Sequence, residues 1–205
     1  MIKPAALLFP TPIWKIRAKN YIDINKGLMN QLTMMMISDN KVPAKLQKQW
    51  NSERLLFKRQ FMKEINSEVL INARKILDSL SLKYNDIKIT GAWANVNPPG
   101  TSHSPHTHPN NYLACAYYVS APKGGNTINF LDPRPQIGLI RPQMKEYNAL
   151  NAEAVSVDIE VGDLCFFPCW LKHSANKNIS NKSRTSIAFN IMFTNYVNEM
   201  SSPMW

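Results

Sequence analysis

The sequence has few cysteines and no long hydrophobic run. Its three cysteines, Cys115, Cys165 and Cys169, are an odd number without a disulfide framework, which favours a reducing compartment. No apolar run approaches the length of a membrane span, and the first ten residues are too short and too interrupted by proline for a secretory signal. We therefore expect a cytoplasmic protein with no membrane segment.

Acidic residues are also scarce. The chain has 14 Asp and Glu against 24 Lys and Arg, which gives a net charge of +10, and seven of the basic side chains fall between residues 41 and 63. Such a cluster is compatible with an acidic or nucleic-acid partner. Because it is not interleaved with stacking aromatic residues in a binding motif, we expect a solvated helical face. A non-catalytic, basic binding module stays open as an alternative.

The chain of 205 residues, 44% of them hydrophobic, is long enough for one domain with one sizeable core. Apolar residues recur at helical spacing over residues 22–37 and 61–80. From residue 87 onward the pattern changes to short β-prone runs that Pro, Gly and Asn separate. These runs predict strands over residues 87–97, 112–120, 127–131, 138–141, 154–161, 164–168 and 186–196.

Helices followed by a series of strands are typical of an α+β fold, here one that is mainly β. The number of strands fits a double-stranded β-helix, or jelly roll, with the N-terminal helices packed on one side. We expect a single domain. Residues 1–86 would form an arm, with an edge strand over 7–16, and the supporting helices; residues 87–196 would form the core and 197–205 a tail.

Three histidines predict a mononuclear metal site. Residues 104–109 have the sequence Ser-Pro-His-Thr-His-Pro. Side chains at i and i+2 of an extended segment point to the same side, so His106 and His108 can share one metal ion. His173, the one histidine far in sequence from His103, His106 and His108, would complete one face of the coordination sphere and leave the other face open, as in non-haem Fe(II) oxygenases.

Several segments occur together in a characteristic order. They are His106-Thr107-His108, the strand 112–120, the Gly-Gly-Asn-Thr-Ile-Asn-Phe of residues 124–130, the Val-Gly-Asp-Leu-Cys-Phe-Phe-Pro of residues 161–168, His173, and Arg184-Thr185-Ser186. In order and spacing they resemble the 2-oxoglutarate/Fe(II)-dependent oxygenases, in particular the prolyl-hydroxylase-like branch. The opening Leu-Phe-Pro-Thr-Pro-Ile-Trp of residues 8–14 is similar to a smaller oxygenase family within that branch. The core of the resemblance covers roughly residues 91–194.

The resemblance implies a jelly roll that holds Fe(II) through His106, position 108 and His173, with 2-oxoglutarate and O2 as co-substrates. It also implies that Arg184 binds the distal carboxylate of 2-oxoglutarate, and a guanidinium is well suited to a carboxylate because its donors form a fixed fork. Ser186, two residues on, faces the same side of its strand and could share this task. Tyr118 matches a family position whose phenol contacts the same co-substrate.

A further set of candidate site residues precedes the histidines in the sequence. Trp93, Asn95 and Asn97 alternate along one predicted strand and therefore share a face. We expect this face to line the pocket, and we place Asn97 among the residues that bind the co-substrate. Ordinary packing inside the fold is the alternative for Trp93.

The chain departs from the family at one ligand, because position 108 is Asp or Glu in the family and His108 here. Three neutral imidazoles carry no negative charge, so the 2-oxoglutarate dianion would leave a formally neutral centre. A three-histidine, cupin-like dioxygenase or metal-binding protein that does not use 2-oxoglutarate is thus an alternative. Asp132 could instead supply a carboxylate and His103 a substitute imidazole, although neither has the expected spacing. Cys165, Cys169 and His173, spaced C-x3-C-x3-H, are a further alternative, for zinc.

The expected activity is hydroxylation of a substrate coupled to conversion of 2-oxoglutarate to succinate and CO2. By analogy, we expect the substrate to be a peptide side chain or a small molecule. The nucleic-acid demethylases of the superfamily have a second arginine six residues after the first, and Asn190 occupies that position here, which argues against a nucleic-acid substrate. A homo-oligomer is compatible with the sequence.

Overall fold

The computed structural model of the protein describes residues 4–6, 8–134, 136, 139–140, 142–148 and 150–199, without the side chains of residues 197–199. Its helices are α1 (Tyr21–Ser38), α2 (Lys63–Ser79) and α3 (Thr194–Glu199), with short 3-10 turns over Pro43–Lys45, Leu56–Lys58 and Gln60–Met62. In the described part of the chain, none of the helices combines the length and the apolar character needed to cross a bilayer.

In the described part of the chain, ten strands form two antiparallel sheets. The large sheet contains β1 (Trp14–Arg17), β2 (Trp50–Asn51), β3 (Ile87–Asn97), β5 (Leu113–Ser120), β8 (Asp163–Pro168) and β10 (Arg184–Phe193), in the spatial order β1-β8-β5-β10-β3-β2. The small sheet contains β4 (His103–His106), β6 (Thr127–Leu131), β7 (Ala154–Asp158) and β9 (His173–Ala175), in the order β4-β9-β6-β7.

The two faces of the large sheet pack against different partners. Because side chains alternate along a strand, Ile187 and Phe189 of β10 point towards the buried apolar faces of α1 and α2. Arg184, Ser186 and Ala188 of the same strand point to the opposite side and line a cavity. A second, smaller core fills the space between the sheets, and it includes Ala114, Tyr118, Ile128, Phe130, Cys165, Phe167 and Leu171. The functional cavity thus opens between two sheets that are held by separate cores.

The predicted fold is confirmed: the protein is mainly β, a jelly roll of two antiparallel sheets, with α1 and α2 on one side. Strands β3 and β6 have the predicted bounds, and β5 and β8 differ from theirs by one residue. Both long helices lie where their apolar periodicity places them, although α2 begins at Lys63 because a 3-10 turn precedes it.

Several predicted bounds were wrong. The strand over 154–161 ends at Asp158 because the chain turns through Gly162, and the strand over 186–196 ends at Phe193, where α3 begins. The edge strand over 7–16 is in fact β1, over Trp14–Arg17, and residue 7 lies outside the described residues. Residues 138 and 141 of the strand predicted over 138–141 also lie outside them, and residues 139 and 140 belong to no strand. Strands β2, β4 and β9 had no separate prediction.

Gly162 makes the turn between β7 and β8 possible. Its φ is +87°, in the left-handed region that favours glycine. Its N–H donates to the carbonyl of Tyr118 at 2.8 Å, and its carbonyl accepts from the N–H of Ala18 at 2.9 Å. A Cβ at this position would overlap the ring of Tyr21. Position 162 therefore excludes a side chain for two reasons, backbone strain and steric overlap with α1.

We expect Gly162→Ala to lower the free energy of unfolding by about 2 to 4 kcal/mol, because left-handed strain and overpacking add. Gly100→Ala is the matched control: its φ is +84°, but the nearest atom to an added Cβ is Lys177 Cε at 3.9 Å. Strain alone should cost about 1 kcal/mol there. Urea unfolding of both variants measures the difference, and equal losses would contradict the predicted overlap with Tyr21.

Candidate metal centre

Two paired strands bring the histidines together. His106 is the last residue of β4 and His173 the first of β9, and the two residues are directly opposite each other in the pairing of these strands. His108 lies two residues beyond β4, where its N–H donates to the carbonyl of Cys169 at 2.9 Å. One ring nitrogen from each of the three side chains lies within 4.8 Å of the others. The strand alternation predicted for residues 104–109 thus places His106 and His108 on one side, although His108 itself is outside the strand.

Each imidazole uses its Nδ1 atom in a hydrogen bond to an oxygen. His106 Nδ1 is 2.9 Å from the carbonyl of Ser104, and His173 Nδ1 is 3.1 Å from the carbonyl of Leu171. His108 Nδ1 is 2.7 Å from Asn190 Oδ1. A carbonyl oxygen can only accept, so we assign the ring proton of all three histidines to Nδ1. In the neutral form of each ring, the Nε2 atom then keeps a free lone pair.

Two of these lone pairs face each other. His108 Nε2 and His173 Nε2 are 3.3 Å apart, and the two rings are nearly parallel, with an interplanar angle of 13°. With both ring protons on Nδ1, no hydrogen bond joins the two nitrogens, and their partial negative charges repel. A shared cation removes this repulsion, and nitrogen lone pairs of histidine are ligands for divalent transition metals. The donor set therefore fits one metal ion.

Burial keeps His108 and His173 neutral near pH 7 because it lowers the pKa of both side chains. Desolvation, with a smaller contribution from His106, lowers the pKa of His108 to about 4 and that of His173 to about 3. Trp93 stacks on the ring of His108 with centroids 5.7 Å apart, and Phe167 is 4.5 Å from the ring of His173. Neutral imidazole is the form that binds a metal, so no proton has to leave these two side chains near pH 7.

Arg184 lies on the same cavity as the histidines. It is the first residue of β10 and is only 3% exposed, and its Nη1 donates to the carbonyl of Gly125 at 3.4 Å. Desolvation lowers the pKa of this guanidinium. Within the described residues, Arg184 has no carboxylate partner, so a structural salt bridge does not account for its burial. A buried cation without an anion is costly, and the cavity that it lines has room for one.

The other predicted co-substrate residues lie around Arg184. Asn97 is opposite Arg184 in the pairing of β3 with β10, and Tyr118 is opposite Ser186 in the pairing of β5 with β10. All four line the cavity, together with Trp93 and Asn95. Burial raises the pKa of the Tyr118 phenol well above its usual value, so the hydroxyl remains protonated and can donate a hydrogen bond. Asn97 Nδ2 is engaged with Gln49 Oε1 at 3.0 Å.

The alternative ligand sets do not assemble. Asp132 forms an ion pair with Arg134 instead of approaching the histidines. Cys165 and Cys169 are free thiols packed in the core between the sheets, where burial raises their pKa. His103 stacks on His106 with centroids 4.5 Å apart and lines the cavity. Among the described residues, the three histidines at 106, 108 and 173 are the one cluster with metal-binding geometry.

Sequence reasoning missed two contributions to the site. Asn190, considered only as the position of a missing arginine, accepts the hydrogen bond of His108. Its spacing of six from Arg184 places it on the same face of β10, so strand alternation alone could have identified it. Residues 49–54 form one wall of a cleft beside the histidines. A two-residue strand has no periodicity, and the sequence offered no signal for this wall.

Comparisons with known proteins show which sequences and folds this chain resembles. Residues 91–190 match the family described as "Putative 2OG-Fe(II) oxygenase". A comparison with curated proteins finds no match. Among solved structures, HygX from Streptomyces hygroscopicus, solved with nickel and 2-oxoglutarate bound, is similar with a TM-score of 0.65 and 11% identity, over 90% of this chain and 83% of that one.

Two prolyl hydroxylases are also similar in structure. The viral collagen prolyl hydroxylase of Paramecium bursaria Chlorella virus-1 has a TM-score of 0.55 and 11% identity, over 87% of this chain and 94% of that one. A Pseudomonas putida prolyl-4-hydroxylase has a TM-score of 0.57 and 13% identity, over 91% and 89% of the two chains. At these identities the likeness shows the fold. The sequence match over residues 91–190 makes the core of this chain similar to the 2-oxoglutarate/Fe(II)-dependent oxygenases.

Proposed function

We propose that the protein is a non-haem Fe(II)- and 2-oxoglutarate-dependent oxygenase that hydroxylates a small molecule or a peptide side chain. The observation that carries this proposal is the buried Arg184, which has no carboxylate partner among the described residues and lines the same cavity as three histidines that bring one ring nitrogen each within 4.8 Å of the others. A cation and a metal-binding set in one cavity match a ligand that has a carboxylate at one end and a chelating group at the other.

Each side chain has a defined task in this proposal. His106, His108 and His173 would hold the iron through Nε2, while their Nδ1–H bonds fix the ring orientations. Arg184 would bind the distal carboxylate of 2-oxoglutarate, and the hydroxyls of Tyr118 and Ser186 would donate to the same group. When bound, iron and 2-oxoglutarate supply the oxidation, in which O2 converts 2-oxoglutarate to succinate and CO2 and hydroxylates the substrate.

The apolar residues of the cavity limit the access of water to the proposed metal and co-substrate site. Phe167, Ile128 and Ala188 give the cavity an apolar lining around the polar residues.

The three cysteines are buried and free, which suits a reducing, cytoplasmic location. The name of HygX includes 2-oxoglutarate, which supports this co-substrate here, and the names of the two prolyl hydroxylases support a peptide side chain as one of the two substrate types.

A second candidate is a three-histidine, cupin-like dioxygenase or metal-binding protein that does not use 2-oxoglutarate. The observation that favours it is the ligand set itself, because none of the three ligands carries a charge. It gives no role to the buried guanidinium of Arg184, which is the reason that we prefer the oxygenase. The two candidates differ in a measurable way, since only one of them needs Arg184.

Arg184→Ala tests the proposed role of the buried guanidinium. Anaerobic addition of Fe(II) and then 2-oxoglutarate to the protein should produce the visible charge-transfer absorption of an iron chelate. We expect Arg184→Ala to bind iron normally and to weaken 2-oxoglutarate binding by about 100-fold or more, because the charged partner of the carboxylate is lost. Titration of the absorption band against 2-oxoglutarate concentration measures both variants.

Arg74→Ala is the matched control, since Arg74 lies on the surface in an ion pair with Asp86. It should leave the band and its midpoint unchanged. A band of equal strength and midpoint in Arg184→Ala would contradict the role of Arg184. Iron binding without any band in the unaltered protein would instead support the cupin-like candidate.

The second prediction concerns the hydrogen bond from His108 to Asn190. Asn190→Ala removes the acceptor at 2.7 Å from His108 Nδ1 and should weaken metal binding by about tenfold, because the ring loses its orientation and part of its basicity. Asn190→Asp provides an acceptor in the same place and should retain the affinity. Titration with Co(II), followed by its d–d absorption, measures the affinity.

Asn72→Ala is the control for loss of a buried asparagine, because Asn72 lies on α2 and donates to the carbonyl of Glu68. Its metal affinity should equal that of the unaltered protein. If Asn190→Asp weakens metal binding as much as Asn190→Ala does, the acceptor role assigned to Asn190 is wrong.

A further inference from the structure

A cleft of about 380 Å³ adjoins the metal centre on its outer side. Its walls contain Gln49, Asn51, Ser52, Arg54, Trp93, His103, His106, Thr107, His108 and Asn190. Trp93 and the histidines at 103, 106 and 108 also line the inner cavity that contains Arg184. A molecule bound in this cleft, which we call the outer cleft, would therefore touch the metal-binding side chains from the side that the co-substrate does not use.

The wall formed by residues 49–54 is fixed to the large sheet by backbone hydrogen bonds. Strand β2 pairs with β3, and beyond it the Ser52 N–H donates to the carbonyl of Ala94 at 3.1 Å. The N–H of Ala92 donates to the carbonyl of Arg54 at 2.9 Å. The side chains of this wall consequently project from a pre-formed backbone, which lowers the entropy cost of binding a ligand between them.

Arg54 lines the outer cleft beside the metal centre, where its side chain is exposed. Its guanidinium carbon lies 4.9 Å from the centroid of Trp93, and the other neighbour of that ring is His108, stacked at 5.7 Å. Within the described residues Arg54 forms no ion pair, since the adjacent Glu53 pairs with Arg59 at 2.7 Å. Arg54 is exposed, and its cation–π contact with Trp93 holds the guanidinium against the wall of the cleft.

The remaining walls offer neutral hydrogen-bonding groups. Gln49 Nε2 donates to Asn51 Oδ1 at 3.0 Å, and Asn51 Nδ2 donates to Asn95 Oδ1 at 2.5 Å, so the amides are held in one network. Ser52 and Thr107 add hydroxyls. Among the described residues, no carboxylate lines the outer cleft or the inner cavity. This wall chemistry suits a ligand with hydroxyl or amide groups and no positive charge.

The charge balance of the proposed enzyme also favours a ligand without positive charge. Three neutral ligands leave the two positive charges of Fe(II) to be offset by the 2-oxoglutarate dianion. Arg184 and Arg54 then contribute two further positive charges, with no carboxylate in either lining. We propose that the outer cleft binds a hydroxyl- or amide-bearing organic acid whose carboxylate or phosphate is held by Arg54. This inference rests on the proposed function and names the substrate class for it.

The test uses two scaffolds, each as a neutral, a carboxylate and a phosphate form. The first set is D-glucose, D-glucuronate and D-glucose 6-phosphate; the second is N-acetyl-L-serinamide, N-acetyl-L-serine and O-phospho-N-acetyl-L-serinamide. Each compound is titrated calorimetrically into the full chain with anaerobic Fe(II) and saturating 2-oxoglutarate, so that Arg184 is already occupied. Absence of O2 prevents turnover, and the visible band reports separately that 2-oxoglutarate is bound.

We expect an anionic form of at least one scaffold to bind about tenfold or more tightly than its neutral form, as a charge-assisted pair with Arg54 requires. Arg54→Gln should reduce the affinity of that anion to the neutral level, whereas Lys58→Ala, which removes the same charge from an exposed site outside the cleft, should change it less than about twofold. The better of the carboxylate and phosphate forms identifies the anion. An unchanged band and unfolding midpoint in Arg54→Gln show that its fold and metal centre are intact.

Three results would overturn the inference. They are equal binding of neutral and anionic forms, no binding by any anionic form, and equal loss in Arg54→Gln and Lys58→Ala. In each of these cases a normal charge-transfer band leaves the proposed function standing and removes only the substrate class. Absence of the band shows that the proposed function itself has failed, and the inference fails with it.

Discussion

The convergence of three neutral imidazole nitrogens is the constraint on which the rest of the structure depends. Lone pairs of His108 and His173 face each other at 3.3 Å, a repulsive arrangement that the chain maintains through the pairing of β4 with β9 and through a hydrogen bond at each Nδ1. The surrounding fold supplies rigidity for this purpose, with separate apolar cores on the two faces of the large sheet. A metal ion relieves the repulsion and so stabilises the arrangement that binds it.

Replacement of a carboxylate ligand by His108 changes the charge of the whole site. With Asp or Glu at this position, Fe(II), its protein ligands and the 2-oxoglutarate dianion together would carry a net negative charge, whereas with three histidines they are neutral. The neighbouring groups follow the same pattern: Asn190, an uncharged side chain, accepts the hydrogen bond of His108, and both Arg184 and Arg54 lack a carboxylate partner in the part of the chain that is described. Positive charge at the site is therefore offset by ligands instead of by the protein.

The sequence predicted much of the fold and the centre of the site, for specific physical reasons. Strands β3 and β6 are bounded by turn residues, and α1 and α2 have clear apolar stripes, so local patterns locate them. The metal-binding histidines could be predicted because the sequence has only four histidines and three of them lie within six positions. Strands β4 and β9 have four and three residues, too few to show alternation, and their pairing is a long-range contact. The position of Arg54 could not be predicted for the same reason. It lies beside Trp93 because its backbone carbonyl accepts a hydrogen bond from the N–H of Ala92 in β3, which is a long-range contact.

A crystal structure of the protein grown anaerobically with Fe(II) and 2-oxoglutarate tests the central claim most directly. We expect one iron bonded to Nε2 of His106, His108 and His173 at about 2.0 to 2.2 Å, with the distal carboxylate of 2-oxoglutarate in a paired contact with the Arg184 guanidinium. An iron held through His103 in place of His108, or 2-oxoglutarate bound away from Arg184, would contradict it.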